Sequence, residues 1–512
     1  MNVKLFFSFV FFLFFSSAFS QQFQATYGGA VSDDAQQLCL TTDGGYVMAG
    51  STSSFGAGAS DVFLFKTNSM GGLLWTKTFG GTNVDQASSL MQTTDGGFII
   101  AGSTNSFGAG NYDFYLIKTD SAGNLQWSKT YGGAMDDKAK NIKQLNDGSF
   151  VIVGSSYSFG ISDEDVYLVK TNSNGLLIWS FLYSEAGGRY DLGNDIIVTA
   201  DSGLVITGHT YPLSSGTSAF LFFRLDSSGM VLWNKVYGNP SSSGSGTAAK
   251  ELNNGDFIVT GTFDNVPYLS LIKTNSSGAV LWSNFYGSPG VALNLECSAD
   301  NGYLIAGRTQ SPPTLPNYAV LLKIDSTGNQ QWRRRYDGMG PGYASSILNA
   351  TDGGYCVSGV SDSNAFFIKT DSMGNSGCLE STITATKYAG PVELVPIPLS
   401  TSAVATVENT VSTISGSGGI ENILCYTGIS NAPAEILPFS IYPNPSEGAF
   451  YFANFEKESD IEIYDALGRL IHRSVFNENK KLIDLTGKKS GVCFYRVINS
   501  NREVVSGKII LE

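Results

Sequence analysis

The chain has 512 residues, too many for one ordinary core, with 12% aromatic residues, 15% charged residues and 59 glycines. That balance suits many short strands joined by tight turns and excludes a helical bundle. Only two histidines, His209 and His472, and a net charge of −13 argue against His-ligated metals, a His general base and a nucleic-acid partner.

Residues 1–20 read as a secretory signal peptide. Lys4 supplies the positive start, Leu5 to Phe15 is an unbroken apolar run, and Ala18-Phe19-Ser20 offers small residues for cleavage, leaving Gln21 first. The run is too short to span a membrane, and no other stretch approaches that length, so no transmembrane span is expected in the mature protein. The six cysteines, Cys39, Cys297, Cys356, Cys378, Cys425 and Cys493, match no zinc spacing, and export permits disulfides.

Residues 23–378 repeat with a period of roughly fifty. Trp75, Trp127, Trp179, Trp233, Trp282 and Trp332 stand 52, 52, 54, 49 and 50 residues apart. Nine residues before each is a cation: Lys66, Lys118, Lys170, Arg224, Lys273 and Lys323. A seventh, Lys369, has Cys378 in the Trp slot. A turn starts at Asp43, Asp95, Asp147, Asp201, Asn254, Asp300 and Asp352. Gly follows seven residues later in every copy, from Gly50 to Gly359, and a small residue precedes by eight, from Ala35 to Ala344.

Each unit reads as four strands. In the second unit they are Ala87 to Thr93 (A), Phe98 to Ala101 (B), Asp113 to Lys118 (C) and Leu125 to Tyr131 (D), with Asp95-Gly96-Gly97 as a hairpin turn. Four strands in each of seven units predict an all-β seven-bladed β-propeller over residues 21–378. Crowding at the axis demands the small residue on the innermost strand. Trp on the outermost strand packs between blades, burying about 150–250 Å² each, worth at most about 4–6 kcal/mol. Phe23 to Gly29 matches Trp127 to Gly133 and is a lone strand D, expected to complete the seventh blade.

The stretch Lys118-Thr119-Asp120-Ser121-Ala122-Gly123-Asn124-Leu125-Gln126-Trp127 resembles the repeat of quinoprotein-like propellers. Its Asp-to-Trp spacing is one residue shorter, and the cofactor-binding residues of those dehydrogenases are not evident, so no cofactor is expected. Sialidase Asp boxes place Gly two after Asp and Trp three after Gly. The steps here are three and four, which rejects that match. The repeats are similar to propeller repeats of secreted Bacteroidetes proteins, a likeness that implies fold rather than activity.

Residues 379–436 are rich in Ser, Thr and Val and read as an irregular or loosely stranded connector. Cys378 ends the repeats and Cys425 lies near the connector's end, so these two are expected to form a disulfide clamping it to the last blade. Residues 437–512 change pattern. Tyr442-Pro443-Asn444-Pro445, Gly448, Asp465, Gly468, Gly491, Tyr495 and Lys508 punctuate short alternating apolar runs, which predict a small β-sandwich. These motifs, in this order, resemble the C-terminal sorting domain of the type IX secretion system, with Cys493 between two positions usually apolar or aromatic. The resemblance implies handling by that machinery, export across the outer membrane of a Gram-negative bacterium, and usually removal of the domain with surface attachment or release.

No nucleophile elbow, phosphate loop or zinc spacing is present, and no catalytic or metal-binding residue is assigned. The turn Asp is expected to cap its hairpin, and the strand C cation to cover a blade edge or pair with turn carboxylates. Acidic pairs such as Asp33-Asp34, Asp136-Asp137 and Glu164-Asp165 read as solvated loop charge. Asymmetry lies in the loops joining strands B and C. Phe55, Phe107, Phe159, His209, Tyr211 and Arg308 are the binding candidates there, either stacking on a ligand or tucked against their own blade. Two functions follow: a non-catalytic surface module for binding or adhesion to glycan or protein, or an extracellular polysaccharide-degrading hydrolase of the endoglucanase type. The scarcity of catalytic groups favours the first.

Overall fold

Alternating apolar runs of seven or eight residues, parted by Gly-containing turns, fold each repeat unit as an antiparallel meander. In the computed structural model the described residues are 22–160, 163–185, 190–211, 217–238, 242–263, 268–287, 290–309, 316–383, 387–394, 399–411, 413–427, 440–442, 449–453, 459–465, 469–476, 480–487, 491–498 and 504–511. Every regular element among them is a strand. The chain divides into two compact units, Met1–Gly428 and Ile429–Glu512. The expected leader lies outside the described residues.

The first unit contains seven five-stranded antiparallel sheets. In the second, strands A to D are Asp85–Gln92, Phe98–Thr104, Asp113–Thr119 and Leu125–Gly132. Strands A of the first and of the third to seventh are Gln37–Leu40, Asp137–Gln144, Asp191–Val198, Gly244–Glu251, Gly290–Cys297 and Gly342–Asn349. The seventh sheet obtains strand D from the other end of the repeats: Gln22–Gly28 pairs with Asn364–Thr370, setting Phe23 opposite Lys369.

The strands A of successive sheets lie side by side, and that of the seventh lies against that of the first. Polar bonds link them. Gln37 Nε2 donates to Ser346 Oγ at 3.2 Å, Asn141 Nδ2 to Asp195 at 2.7 Å, and Asn349 Nδ2 to the Cys297 carbonyl at 2.7 Å. Lys250 and Glu296 form an ion pair at 2.8 Å. The recurring small residue is buried where this packing is tightest: a Cβ on Gly193 would lie 2.5 Å from Val153 of the preceding sheet. The Gly that follows each Asp turn answers a different constraint. A side chain on Gly102 would collide with the Gln86 carbonyl where strand A bulges between Ala87 and Ser89.

Between sheets, strand D docks on the C–D turn of its neighbour. The rings of Trp75, Trp127, Trp233, Trp282 and Trp332 lie on the Gly of the next turn, Gly123, Gly175, Gly278, Gly328 and Gly374, and Phe23 lies on Gly71 in the same way. The junction of the third and fourth sheets uses Phe181 on Gly229 instead. Five of the six Trp are half-buried and only Trp332 is buried, so each contributes less than full burial would. Four residues past the Trp slot, buried Tyr hydroxyls donate to the same Gly carbonyls. Tyr131 reaches Gly175 at 2.5 Å, Tyr183 Gly229 at 2.7 Å, Tyr286 Gly328 at 2.9 Å and Tyr336 Gly374 at 2.8 Å.

Each turn Asp or Asn accepts the N–H two residues on, as Asp95 does from Gly97 at 3.0 Å and Asn254 from Asp256 at 3.2 Å. Five of the seven strand C cations pair with these carboxylates: Lys66 with Asp43 at 2.5 Å, Lys118 with Asp95 at 2.9 Å, Arg224 with Asp201, Lys323 with Asp300 at 2.6 Å and Lys369 with Asp352 at 2.6 Å. The Lys66 ammonium, with the Thr41 hydroxyl, holds the Asp43 carboxyl down at about 2.

Strand D is the fourth strand of each sheet and not its outermost one, because residues 380–427 supply a fifth. Running backwards through the repeats, Glu380–Thr382 pairs with the sixth sheet, Lys387–Ala389 with the fifth, Val392–Leu394 with the fourth and Leu399–Ala403 with the third. Val407–Thr410 then pairs with the second, Ile414–Gly416 with the first, and Ile420–Thr427 with Gln22–Gly28 of the seventh. The sequence expectation of a loosely stranded connector missed this order, because three-residue strands carry no periodicity. Here the edge of an existing sheet templates them. A disulfide joins Cys378 to Cys425, with Cα atoms 6.1 Å apart, so the strap is tied at both ends.

The second unit holds a three-stranded sheet, Ser440–Tyr442, Ala449–Ala453 and Lys480–Asp484, and a four-stranded one ordered Leu470–Phe476, Ser459–Tyr464, Gly491–Ile498 and Val504–Leu511. Phe450 and Ile483 of the first share a core with Ile461, Ile463, Cys493 and Ile509 of the second. Cys493 is thus a small core apolar group, which explains its place among apolar neighbours.

Two outcomes follow. Deleting residues 21–30 removes a central strand of the seventh sheet and should lower the melting temperature by about 10 °C or more, read by calorimetry; an unchanged value contradicts the pairing. Replacing Cys378 and Cys425 by Ser frees a loop of 47 residues and should cost about 4 kcal/mol in the loop-entropy account. Limited proteolysis should then cut first within residues 380–427, and an uncut strap contradicts the tether.

Candidate ligand-binding face

The strands A line a polar cavity of about 590 Å³. Gln36 beside strand A of the first sheet, Asn141 of the third, Asn194 and Asp195 of the fourth and Tyr343 of the seventh line it, and Asp34 and Arg308 stand at its wall. Asp34 accepts the Ser51 N–H at 2.9 Å, and burial, reinforced by Asp33, pushes its carboxyl up to about 6. Gln36 Nε2 donates to Tyr343 Oη at 3.2 Å, and burial raises that phenol. Asp195 accepts from Asn141 Nδ2 at 2.7 Å and from the amides of Ile196 and Ala249 at 2.9 Å each.

Beside the cavity, aromatic rings gather at the seam of the third and fourth sheets. Tyr157 follows strand B of the third sheet, Tyr190 precedes strand A of the fourth, and Tyr211 follows strand B of the fourth. Ring centroids are 6.4 Å apart for Tyr157 and Tyr190, 6.3 Å for Tyr190 and Tyr211, and 5.9 Å for His209 and Tyr211. Tyr190 is 47% and Tyr211 37% exposed. Glu164 ties this ledge to the cavity. It accepts from Ser155 Oγ at 2.5 Å, lies within electrostatic reach of the lining residue Lys140, and with burial pushes the Tyr157 hydroxyl up to about 12.

The loop candidates thus part company. His209 and Tyr211 join the ledge and Arg308 lines the cavity. Phe55, Phe107 and Phe159 are half-buried and turn inward, each lying against the aromatic residue eight positions on. The centroid distances are 6.2 Å to Phe63, 6.0 Å to Tyr115 and 5.4 Å to Tyr167. A glycine makes room for each ring: a Cβ on Gly29, Gly81 or Gly133 would crowd it. Tyr157 and Tyr190 escaped the sequence reading because they flank the repeat landmarks. Their signal is a departure from the register, since Ser53 and Asn105 occupy the slot of Tyr157.

In the second unit, Asp465 accepts the Arg469 N–H at 2.9 Å and pairs with its guanidinium at 2.7 Å, closing the turn after its strand. Tyr495 is half-buried against the core, and Tyr442, Gly491 and Lys508 lie in strands. Pro443, Asn444, Pro445, Gly448 and Gly468 lie outside the described residues.

Comparison with known proteins bears mainly on this unit. Residues 440–512 match the family described as the secretion system C-terminal sorting domain. Regulatory protein FlaEY of Caulobacter vibrioides is 30% identical over 114 residues, 20% of this chain and 12% of that protein. Among solved structures, PorZ of Porphyromonas gingivalis, a surface component of its type IX secretion system, is similar at 10% identity and TM-score 0.42, over 95% of this chain and 60% of that one. Sqt1 of Chaetomium thermophilum is similar at 10% identity and TM-score 0.41, over 68% and 99%. The extracellular domain of BT4673 from B. thetaiotaomicron gives 10% and 0.30, over 94% and 68%. The chain therefore spans about a tenth of its curated relative and about three fifths of PorZ. No helix of the described residues is long and apolar enough to cross a membrane. The chain carries the sorting domain by which the type IX secretion system delivers proteins to the cell surface or the extracellular space.

Proposed function

We propose that residues 21–378 are a seven-bladed β-propeller, joined by residues 379–436 to a small β-sandwich at 437–512. We further propose that the exported propeller is a non-catalytic module that binds carbohydrate at the cavity mouth. The ring reading is supported by seven meanders whose strands A neighbour one another in sequence order, the last against the first. The binding reading is carried by the ledge of Tyr157, Tyr190 and Tyr211 beside a polar cavity. Half-exposed phenol rings offer flat apolar faces for sugar C–H groups, and the wall offers amide and guanidinium donors for hydroxyls.

A hydrolase reading has one observation in its favour: Asp34, held up to about 6, is in the range of a general acid. Glycoside hydrolysis needs a second, free carboxylate across the scissile bond. Asp195, the other carboxyl in the wall, is occupied by three donors. Binding without turnover is the better fit.

Replacing Tyr190 and Tyr211 together by Ala should weaken the best ligand from a glycan array by about tenfold or more in calorimetric titration, with the melting temperature unchanged. Undiminished affinity contradicts the ledge as the site. Turnover of a polysaccharide that Asp34→Asn abolishes would replace this reading with the hydrolase.

A further inference from the structure

Carboxylates recur in pairs where one sheet hands over to the next. Asp61, Asp113 and Asp165 open strand C of the first three sheets, and Asp85, Asp137 and Asp191 open strand A of the sheets that follow. All six are buried, with exposures of 0–3%. At the first two junctions the members of a pair meet over a glycine; at the third, where Ser184 holds that position, Asp165 and Asp191 are buried within electrostatic reach of each other. A methyl group on Gly80 would collide with oxygens of both Asp61 and Asp85, and one on Gly132 with oxygens of both Asp113 and Asp137.

At the first two junctions the backbone donors fall on Oδ2 of each carboxyl. Asp85 Oδ2 accepts from Gly81 N–H and Ser106 Oγ at 2.7 Å each, and Asp137 Oδ2 from Gly133 N–H and Ser158 Oγ at 2.7 Å each. Asp113 Oδ2 accepts from Ala109 N–H at 3.0 Å and Gly110 N–H at 3.2 Å. Among the described residues, Oδ1 of Asp85 and Oδ1 of Asp113 are buried without a hydrogen-bond partner. Among the described residues, the groups facing the pairs from the packed strands bring no positive charge. Tyr115 faces Asp61 and Asp85, Tyr167 faces Asp113 and Asp137, Asp136 lies beside Asp137, and Asp163 beside Asp165. The nearby Lys138 is held by Asp136 at 2.7 Å. Two unscreened buried charges of one sign cost too much to persist.

The seventh sheet supplies the comparison. Its strand C opens on Asn364, which meets Asp33 over Gly28 as the acid pairs meet over theirs. An amide has the shape of a protonated carboxyl and carries no charge.

We propose that each of the three junctions holds one proton shared between its two aspartates, making a carboxylic acid–carboxylate hydrogen bond that joins successive sheets and fails as pH rises. The strand C member carries the proton, and its O–H donates to the strand A carboxylate. Hydroxide removes that proton as water and leaves two facing anions. Burial first, and the facing carboxylate second, push these acids up. Asp165 stands at about 8 and Asp113 at about 6, where burial is again the main cause and Asp137 adds to it. Because these values lie above the unfolded value of about 4, the stabilisation is complete below about pH 4, declines as pH rises, and is gone above about pH 8.

The test is the triple variant Asp61→Asn, Asp113→Asn, Asp165→Asn in the full chain, with melting temperatures at about pH 5 and about pH 9. The natural chain should lose stability between the two. The variant should lose less and melt at least about 2 °C higher than the natural chain at the alkaline end. Parallel profiles overturn the proposal. Millimolar calcium that raises the alkaline melting temperature of the natural chain, but not of the variant, also overturns it, because a cation would then neutralise the pairs. Should the variant fail to fold, the infrared carbonyl band of buried carboxylic acids in the natural chain decides. Its presence near neutral pH and loss on alkalinisation support the shared proton, and its absence at neutral pH refutes it.

Discussion

The first unit depends on one contact made at successive sheet junctions: a buried tyrosine hydroxyl donating a hydrogen bond to the glycine carbonyl at the neighbouring sheet's C–D turn. Such a bond contributes about 1 kcal/mol net, but leaving it unmade would strand a buried phenol and a buried carbonyl together. Burial also holds these phenols protonated well past neutrality, so the donor does not fail in ordinary conditions. The aromatic ring above it, Trp or Phe, covers the same glycine and keeps water out. At the junction of the first and second sheets, Phe79 stands in the tyrosine slot and packing alone serves.

Docking each sheet on the next fixes the strands A side by side, and that places the site. Their polar residues converge on the cavity, while Tyr157 and Tyr211, just beyond strand B, meet Tyr190 at the seam of the third and fourth sheets. The strap of residues 380–427 works from the opposite side. It covers the edge that strand D would otherwise expose to pairing with other chains, a hazard for any exposed sheet edge. A disulfide at its two ends suits an oxidising destination.

Much of this was legible in the sequence because the repeat samples each constraint seven times. The small residue of strand A, the Gly after each Asp turn and the strand C cation were all readable as landmarks, and each has a physical reason in burial, a bulge or an ion pair. What repeats less strictly was harder to read. The strap's strands are templated by edges far away in sequence. The tyrosine four residues past every Trp but Trp75 was overshadowed by the larger ring. The ledge of Tyr157 and Tyr190 consists of departures from the repeat, which carry no period. The acidic residues Asp137 and Asp165 read as solvated loop charge and are buried, because only the fold brings each beside a second carboxyl.

The central claim is that the N-terminal strand is an integral part of the seventh sheet and joins the two ends of the repeats. Native-state hydrogen exchange on the amides of residues 22–28 tests it most directly. Protection equal to that of the strand at residues 125–132, lost in the same cooperative step, is the predicted result. Exchange at the rate of an unstructured terminus, while residues 364–370 remain protected, would contradict it.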